Sequence, residues 1–313
     1  MTRKWKYNGP IFDAHTHIGN IDNIYKMLKI EEEFGVVAQI GIVHSEDELQ
    51  TIMTKHPGRF IFAKYLSLTD IAHYQVDKVV DEVRRIKQKG YSLAKMWFGP
   101  RWRNYIEDIP HNFRIDDPKL DPIFQALEDN GTPLLVHVAD PDTYFNIHYQ
   151  DSAIYGTKDE NLNQIIAVIE QHPRLIFQLP HFGSQPEAHR LSNLASWLDR
   201  FQNVILDTAS SRWMVRELSK DVGKTRGFLK RYSDRILFGT DLSSNGESRE
   251  YFEARYNAQR IMWETDAEME PLPFVDADTR DSGGTFINGL DLPMSVLRQI
   301  YWENAIKTYG SPE

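Results

Sequence analysis

Apolar positions along the chain follow two alternating rhythms. Short β-rich runs recur at 11–17 (IFDAHTH), 36–43 (VVAQIGIV), 60–67 (FIFAKYLS), 92–98 (SLAKMWF), 133–139 (PLLVHVA), 175–182 (LIFQLPHF), 204–210 (VILDTAS) and 235–242 (RILFGTDL). Several are continuous rather than alternating, which suits parallel strands covered on both faces. Helical stripes separate them. Val76, Val79, Val80, Val83 and Ile86 precede Gly90, and Leu120, Ile123, Phe124 and Leu127 precede Asn130-Gly131. Leu162, Ile165, Ile166 and Ile169 form a third stripe ahead of Pro173. These stripes face a core and carry no function.

Eight strands alternating with helices predict an α/β fold, a (β/α)8 TIM barrel built as a single domain over 1–313. The competing architecture is an open doubly wound sheet, but no G-x-G-x-x-G follows the first strand. Three connections, 99–116, 140–160 and 243–292, are longer than a barrel needs. All follow strands, so they are expected as long loops on the C-terminal face. The last contains REYFEARYNAQRIMWET, an aromatic-rich amphipathic helix expected to cap the mouth or to support a homo-oligomer.

The polar residues on these strands carry the chemistry. Residues i and i+2 of a strand share a face, so His15 and His17 project together. Random placement of 11 histidines in 313 residues already gives roughly 0.4 His-x-His pairs, so the pair alone decides little. Its company decides more. His137 lies near the end of the fifth strand, His181 at the end of the sixth, Asp241 at the end of the eighth, and Lys95 on the fourth. Closing a barrel brings these six side chains toward one point at the mouth. Histidines and an aspartate together can supply an N/O donor set for a divalent ion.

Composition narrows the partners. Net charge is −9, which disfavours a nucleic-acid binder. The basic run Arg84, Arg85, Lys87, Lys89 sits beside Asp81 and Glu82 and reads as a solvated helix face. There is no cysteine, so disulfides, thiolate metal sites and a catalytic thiol are excluded. The basic first residues lack the apolar run of a signal peptide, and no stretch approaches a membrane span. The expectation is a cytoplasmic protein acting on a small molecule, with no membrane partner.

The ordered pieces FDAHTH, LPHFGS, FGTD and LPMSVLRQIYWENAIKTYG resemble the amidohydrolase superfamily. The likeness is to the branch that contains aminocarboxymuconate-semialdehyde decarboxylase and related metal-dependent hydrolases, and it runs over essentially the whole chain. The resemblance implies that His15, His17, His137 and Asp241 bind the metal and that His181 is a catalytic residue beside them. Asp13 matches the first motif; its strand parity with the histidines predicts a supporting role. Lys95 has two readings. Binuclear members of the superfamily carry a carboxylated lysine on strand four that bridges two metals, with His181 on the second ion. In the decarboxylase-like branch one metal is usual and the lysine stays an amine, which can pair with an anionic substrate. One zinc is the preferred reading, with manganese, iron or cobalt as substitutes.

The leading expectation is hydrolysis of a small ester, lactone or amide. The ion lowers the pKa of its water to about 7, Asp241 relays the proton and His181 steadies the oxyanion. The alternative is decarboxylation or hydration of an unsaturated or aromatic acid. A barrel that binds without reacting is a third class, disfavoured by the intact donor set. Trp97, Arg212 and His148 are candidate substrate contacts, and Arg101 and Arg103 are further carboxylate binders. His44, His56, His73, His111, His172 and His189 are unassigned, as surface or loop residues.

Overall fold

The computed structural model describes residues 3–110 and 113–312, and His111 lies outside them. Nine parallel strand segments form one sheet. β1 (Ile11–His17), β2 (Val36–Val43), β3 (Phe60–Tyr65) and β4 (Leu93–Phe98) are neighbours in chain order. β5 (Leu134–Val138), β6 (Phe177–Leu179) and β7 (Val204–Asp207) continue the series. Two short pieces fill the eighth position. β8 (Ile236–Leu237) pairs with β7, and β9 (Leu242–Ser243) pairs with β1. The residues between them also bond to β1, through Ala14 N to Phe238 O at 2.7 Å and Asp241 N to His15 O at 2.9 Å. The sheet thereby closes into the expected barrel, with helices outside it.

Strand alternation builds two apolar layers. Phe12, Ile40, Ile61, Leu93, Leu135 and Leu237 fill the barrel interior, closed below by Trp302 and Ile306. The alternate positions, such as Val36, Phe62, Met96 and Val136, face the outer helices. Each fully buried aliphatic side chain contributes about 1.5–3 kcal/mol, so this two-sided burial holds the sheet curved.

Three strands depart from the predicted spans, each at the site. β1 carries a register irregularity between Asp13 and Thr16. Such a bulge turns the following side chains. Ala14 stays in the interior cluster, while the Asp13 carboxylate meets Tyr256, Thr240 and the backbone N of His15 rather than the imidazole rings. Asp13 therefore does not share the face of His15; the extra residue breaks the alternation that predicted it. The sixth strand stops at Leu179 instead of 182. His181, Phe182, Gly183 and Ser184 follow with φ of 57°, 57°, 57° and 58°, a left-handed turn. The eighth strand opens at 238–241, with Asp241 at φ 62°.

The helix Arg249–Glu264 corrects another expectation. Most of its aromatic residues turn into the core rather than over the mouth. It packs between the outer helices Ile24–Glu33 and Ser211–Leu218. Phe252, Tyr256, Met262 and Trp263 are fully buried. The buried Arg260 guanidinium is tied to Glu264 and to Phe34 O at 2.9 Å. The helix is thus part of the core. The long connections supply instead the short helix Asp142–Ile147 and the hairpin β10 (Glu270–Pro271)–β11 (Phe286–Ile287) with its loop, linked through Arg212 to Tyr144 and toward Asp276. No described helix is long and apolar enough to cross a membrane.

Trp263→Ala is expected to lower the unfolding free energy by about 3–5 kcal/mol, measured by urea denaturation. A loss below about 1 kcal/mol would place this helix outside the core.

Candidate metal centre

His15, His17 and Asp241 bring one donor atom each within 4.8 Å of one another, the one such group among the described residues. Asp241 Oδ1 lies 3.1 Å from His17 Nε2 and 3.4 Å from His15 Nε2. Burial alone would raise the Asp241 carboxyl; the hydrogen bond from His17 and the nearby His15 and His181 hold it well below the carboxylate range. His15 Nε2 is buried and has no hydrogen-bond partner. Burial, with Lys95 nearby, pushes the His15 imidazole down, toward the neutral form. An ionised carboxylate and a neutral, unpartnered imidazole nitrogen on one point are what a divalent ion needs, so the donor set fits a metal.

A residue the sequence reading passed over orients His15. Asp207, fully buried at the end of β7, lies 3.1 Å from His15 Nδ1 through its Oδ2. The same oxygen accepts Gln178 Nε2 at 2.6 Å, and Oδ1 accepts Ala209 N at 3.0 Å and His181 N at 3.3 Å. Against burial, His15 and these contacts keep Asp207 below the ordinary carboxylate range. An ionised Asp207 accepts a hydrogen bond from Nδ1–H, which fixes the tautomer and leaves the Nε2 lone pair for a metal. The available signal was an aspartate at a strand end, facing inward by parity with Ile205.

Asp13 supports the centre from outside the barrel. It accepts Thr240 Oγ1 at 2.6 Å, Thr240 N at 3.1 Å and His15 N at 3.2 Å, which fixes the turn that carries Asp241. Tyr256 OH bridges Asp13 and Glu31 at 3.0 and 3.3 Å. Burial pushes Asp13 up to about 7 and Glu31 up to about 8.

His181 and His137 form the other wall. Their ring centroids are 4.4 Å apart, and His181 lies 5.6 Å from His15 and 4.9 Å from Trp213. His181 Nδ1 is buried without a partner. Burial, then His137, pushes its imidazole down to about 3, so it is neutral. His137 stands beside this ring rather than among the three converging donors. Its Nε2 is taken by Ala139 O at 2.8 Å and Asp140 Oδ1 at 2.9 Å. Lys95 is buried, and no carboxylate oxygen among the described residues comes within 4.0 Å of its Nζ. Burial lowers its amine to about 8, with Asp241 and Asp207 opposing.

The remaining candidates separate by distance. Trp97 is half-buried, its ring 6.5 Å from His137. Arg212 donates to Tyr144 OH at 2.9 Å, and His148 lies 3.3 Å from Asp278. These two residues tie the long connections together, and Tyr144 in turn packs 4.9 Å from Trp213. Arg103 stacks 4.4 Å over Trp102, away from the donors, and Arg101 is half-buried. His172 is not a surface residue: it is buried between Asp121, at 3.2 Å, and Glu128, at 3.6 Å. His44, His73 and His189 are exposed and His56 is half-buried.

Comparison with known proteins adds to this geometry. A family model described as Amidohydrolase matches residues 28–311, a span that leaves β1 and its two histidines outside. The comparison with curated proteins gives no match. Among solved structures, 5-carboxyvanillate decarboxylase from Sphingomonas paucimobilis is similar at 14% identity and TM-score 0.57, covering 96% of this chain and 99% of that one. The 5-carboxyvanillate decarboxylase of Novosphingobium aromaticivorans, complexed with manganese and 4-hydroxy-3-methoxy-5-nitrobenzoic acid, gives 14% and 0.56, covering 96% of each chain. A 2,6-dihydroxybenzoate decarboxylase from Rhizobium gives 13% and 0.59, covering 96% and 99%. At these identities the likeness is one of fold.

His15→Ala or His17→Ala is expected to abolish stoichiometric metal binding while the far-ultraviolet circular dichroism stays unchanged. Asp207→Asn should weaken metal binding about 10–100-fold, measured by competition with a chromogenic chelator. Full metal content in His15→Ala would remove that residue from the ligand set.

Proposed function

This chain belongs to the amidohydrolase family, and we propose that it is a metal-dependent decarboxylase of an aromatic or unsaturated carboxylic acid. The observation that carries this reading is Lys95, a buried amine beside the donor group whose Nζ has no carboxylate oxygen within contact distance among the described residues, Asp241 and Asp207 acting on it only from farther off. A buried cation without a contact ion pair is costly. A substrate carboxylate would complete it, whereas a neutral ester, lactone or amide would not. The fold relatives that act on aromatic acids support the same choice, and hydrolysis becomes the second reading.

A divalent ion on His15 Nε2, His17 Nε2 and Asp241 Oδ1 would supply Lewis acidity toward the oxygens of the acid. Zinc, manganese, iron and cobalt all suit such N/O donors. His137, its Nε2 committed, would have to join through Nδ1. The single three-donor group among the described residues supports one ion rather than two bridged by a carboxylated lysine.

The protein's own groups account for binding and proton movement. Lys95 Nζ pairs with the acid and orients it. Asp241 Oδ2, which makes no hydrogen bond among the described residues, takes a proton from an acidic hydroxyl of the substrate. The carbon–carboxylate bond then breaks, and its electron pair stays on carbon. Asp241 returns the proton to that carbon as CO2 leaves. Neutral His181 and Trp213 wall the site and limit water.

The test screens hydroxybenzoates, unsaturated acids, esters and lactones with paired assays of CO2 and acid release. CO2 release that is lost on chelation and restored by Mn²⁺, Zn²⁺ or Co²⁺ is expected. Lys95→Met should lower kcat/KM about 10–100-fold with metal content retained. Ester or lactone hydrolysis without CO2 from any acid would overturn the proposal.

A further inference from the structure

Beyond the three donors the mouth opens sideways. A cavity of about 610 Å³ lies at the C-terminal ends of β2, β3 and β4, a size typical of small-molecule sites. Its inner wall is aromatic, made by His44, Tyr65, Trp97 and Tyr105. This wall starts at the proposed reaction centre. Trp97 stands two residues beyond Lys95 on the same face of β4, and Tyr65 is the register partner of Lys95. His44 follows β2 directly, and Ile42 of that strand is the register partner of His17. The rings form two pairs, His44–Tyr65 at 4.7 Å and Trp97–Tyr105 at 6.0 Å between centroids.

The outer wall is charged. Lys64, Lys78, Arg85 and Lys89 line it, against Asp70 and Glu82. Lys64 holds Glu82 at 3.1 Å and Lys78 holds Asp70 at 2.8 Å. Lys89 is paired with Glu46, outside the lining. Arg85 bonds Asp81 O through Nε at 3.0 Å, and its guanidinium has no carboxylate partner among the described residues. The wall therefore carries an excess of cations in a chain of net charge −9. The Arg85–Lys89 run thus has a second side to it, beyond the solvated face its sequence suggests.

Aromatic faces recognise a ring, and an unpaired guanidinium recognises an anion. We propose that this cavity seats the body of an aromatic dicarboxylate, with its ring against Trp97 and Tyr65 and its distal carboxylate at the Arg85–Lys64 wall. The inference rests on the decarboxylase reading for the placement of the reacting carboxylate at Lys95. The seat itself is tested by binding alone.

Isothermal titration of the metal-loaded protein with isophthalate and with benzoate provides that test. Isophthalate is expected to bind about tenfold more tightly. Arg85→Gln, on an exposed helix face, should remove most of this preference and leave benzoate binding unchanged; Lys64→Met should act in the same direction. Trp97→Ala should weaken both acids about tenfold with metal content intact. Equal affinity for the two acids, or a preference that survives both cation variants, would overturn the dicarboxylate seat. Unchanged binding in Trp97→Ala would overturn the ring contact. If the preference holds and no dicarboxylate releases CO2, the seat stands and the decarboxylase reading falls. CO2 release without the preference keeps the reading and removes the seat.

Discussion

The Asp207 carboxylate is the interaction on which the site depends. It is buried at the end of β7, and a buried charge without partners is costly. Here His15, Gln178, His181 N and Ala209 N together satisfy both oxygens. The consequence runs in two directions. Downward, Gln178 also donates to Ala14 O at 3.0 Å and accepts from Tyr309 OH, so the carboxylate is linked to the helix that closes the barrel floor. Upward, it selects the His15 tautomer whose Nε2 faces Asp241. One anion thus joins the interior hydrogen-bond network to the chemistry at the mouth.

Regular strands cannot deliver this arrangement. A strand points its side chains alternately in and out, and the metal ligands need several close donors at one height. The protein meets this with irregular backbone. The bulge in β1 re-aims His15, the left-handed turn after β6 carries His181, and the break in the eighth strand carries Asp241. Non-glycine residues in left-handed conformation cost about 1–3 kcal/mol each. The packing around them supplies the compensation. Phe182 is buried in the core, and Ser184 Oγ donates to Val138 O and Ala139 O at 3.0 and 2.8 Å. Gly239 packs where an added Cβ would sit 3.2 Å from His15 Cβ.

Outside the barrel a second polar network steadies the first. Asp13, Glu31 and Tyr256 join β1 to two outer helices, and Gln39 extends the network to Thr16 of β1. With both carboxyls raised by burial, the group carries less than its full charge near neutral pH. This network is also why the helix Arg249–Glu264 belongs to the core. Its Tyr256 reaches the strand that carries the histidines, and its neighbours Phe252 and Trp263 fill the space around it.

The order of the elements was legible in the sequence because hydrophobic periodicity is a local property. The first two strands match their predicted spans to the residue, and the inward placement of Lys95 and Trp97 follows from alternation alone. The closeness of His15, His17 and Asp241 was likewise readable from strand ends. Tertiary structure alone decided the rest. Asp207 could not be singled out, since its partners come from strands far apart in the chain. Asp13 was assigned the wrong face, because a bulge depends on how β1 pairs with β2 and the eighth strand. His137 turned its Nε2 to Asp140, a choice made by the loop after β5. The aromatic helix read as amphipathic, yet the fold surrounds it on more than one side. Sequence by itself determined which residues face inward wherever the backbone is regular. Packing and buried hydrogen bonding decided where it is not, because only closed, water-free contacts can hold a strained backbone and a buried charge in place.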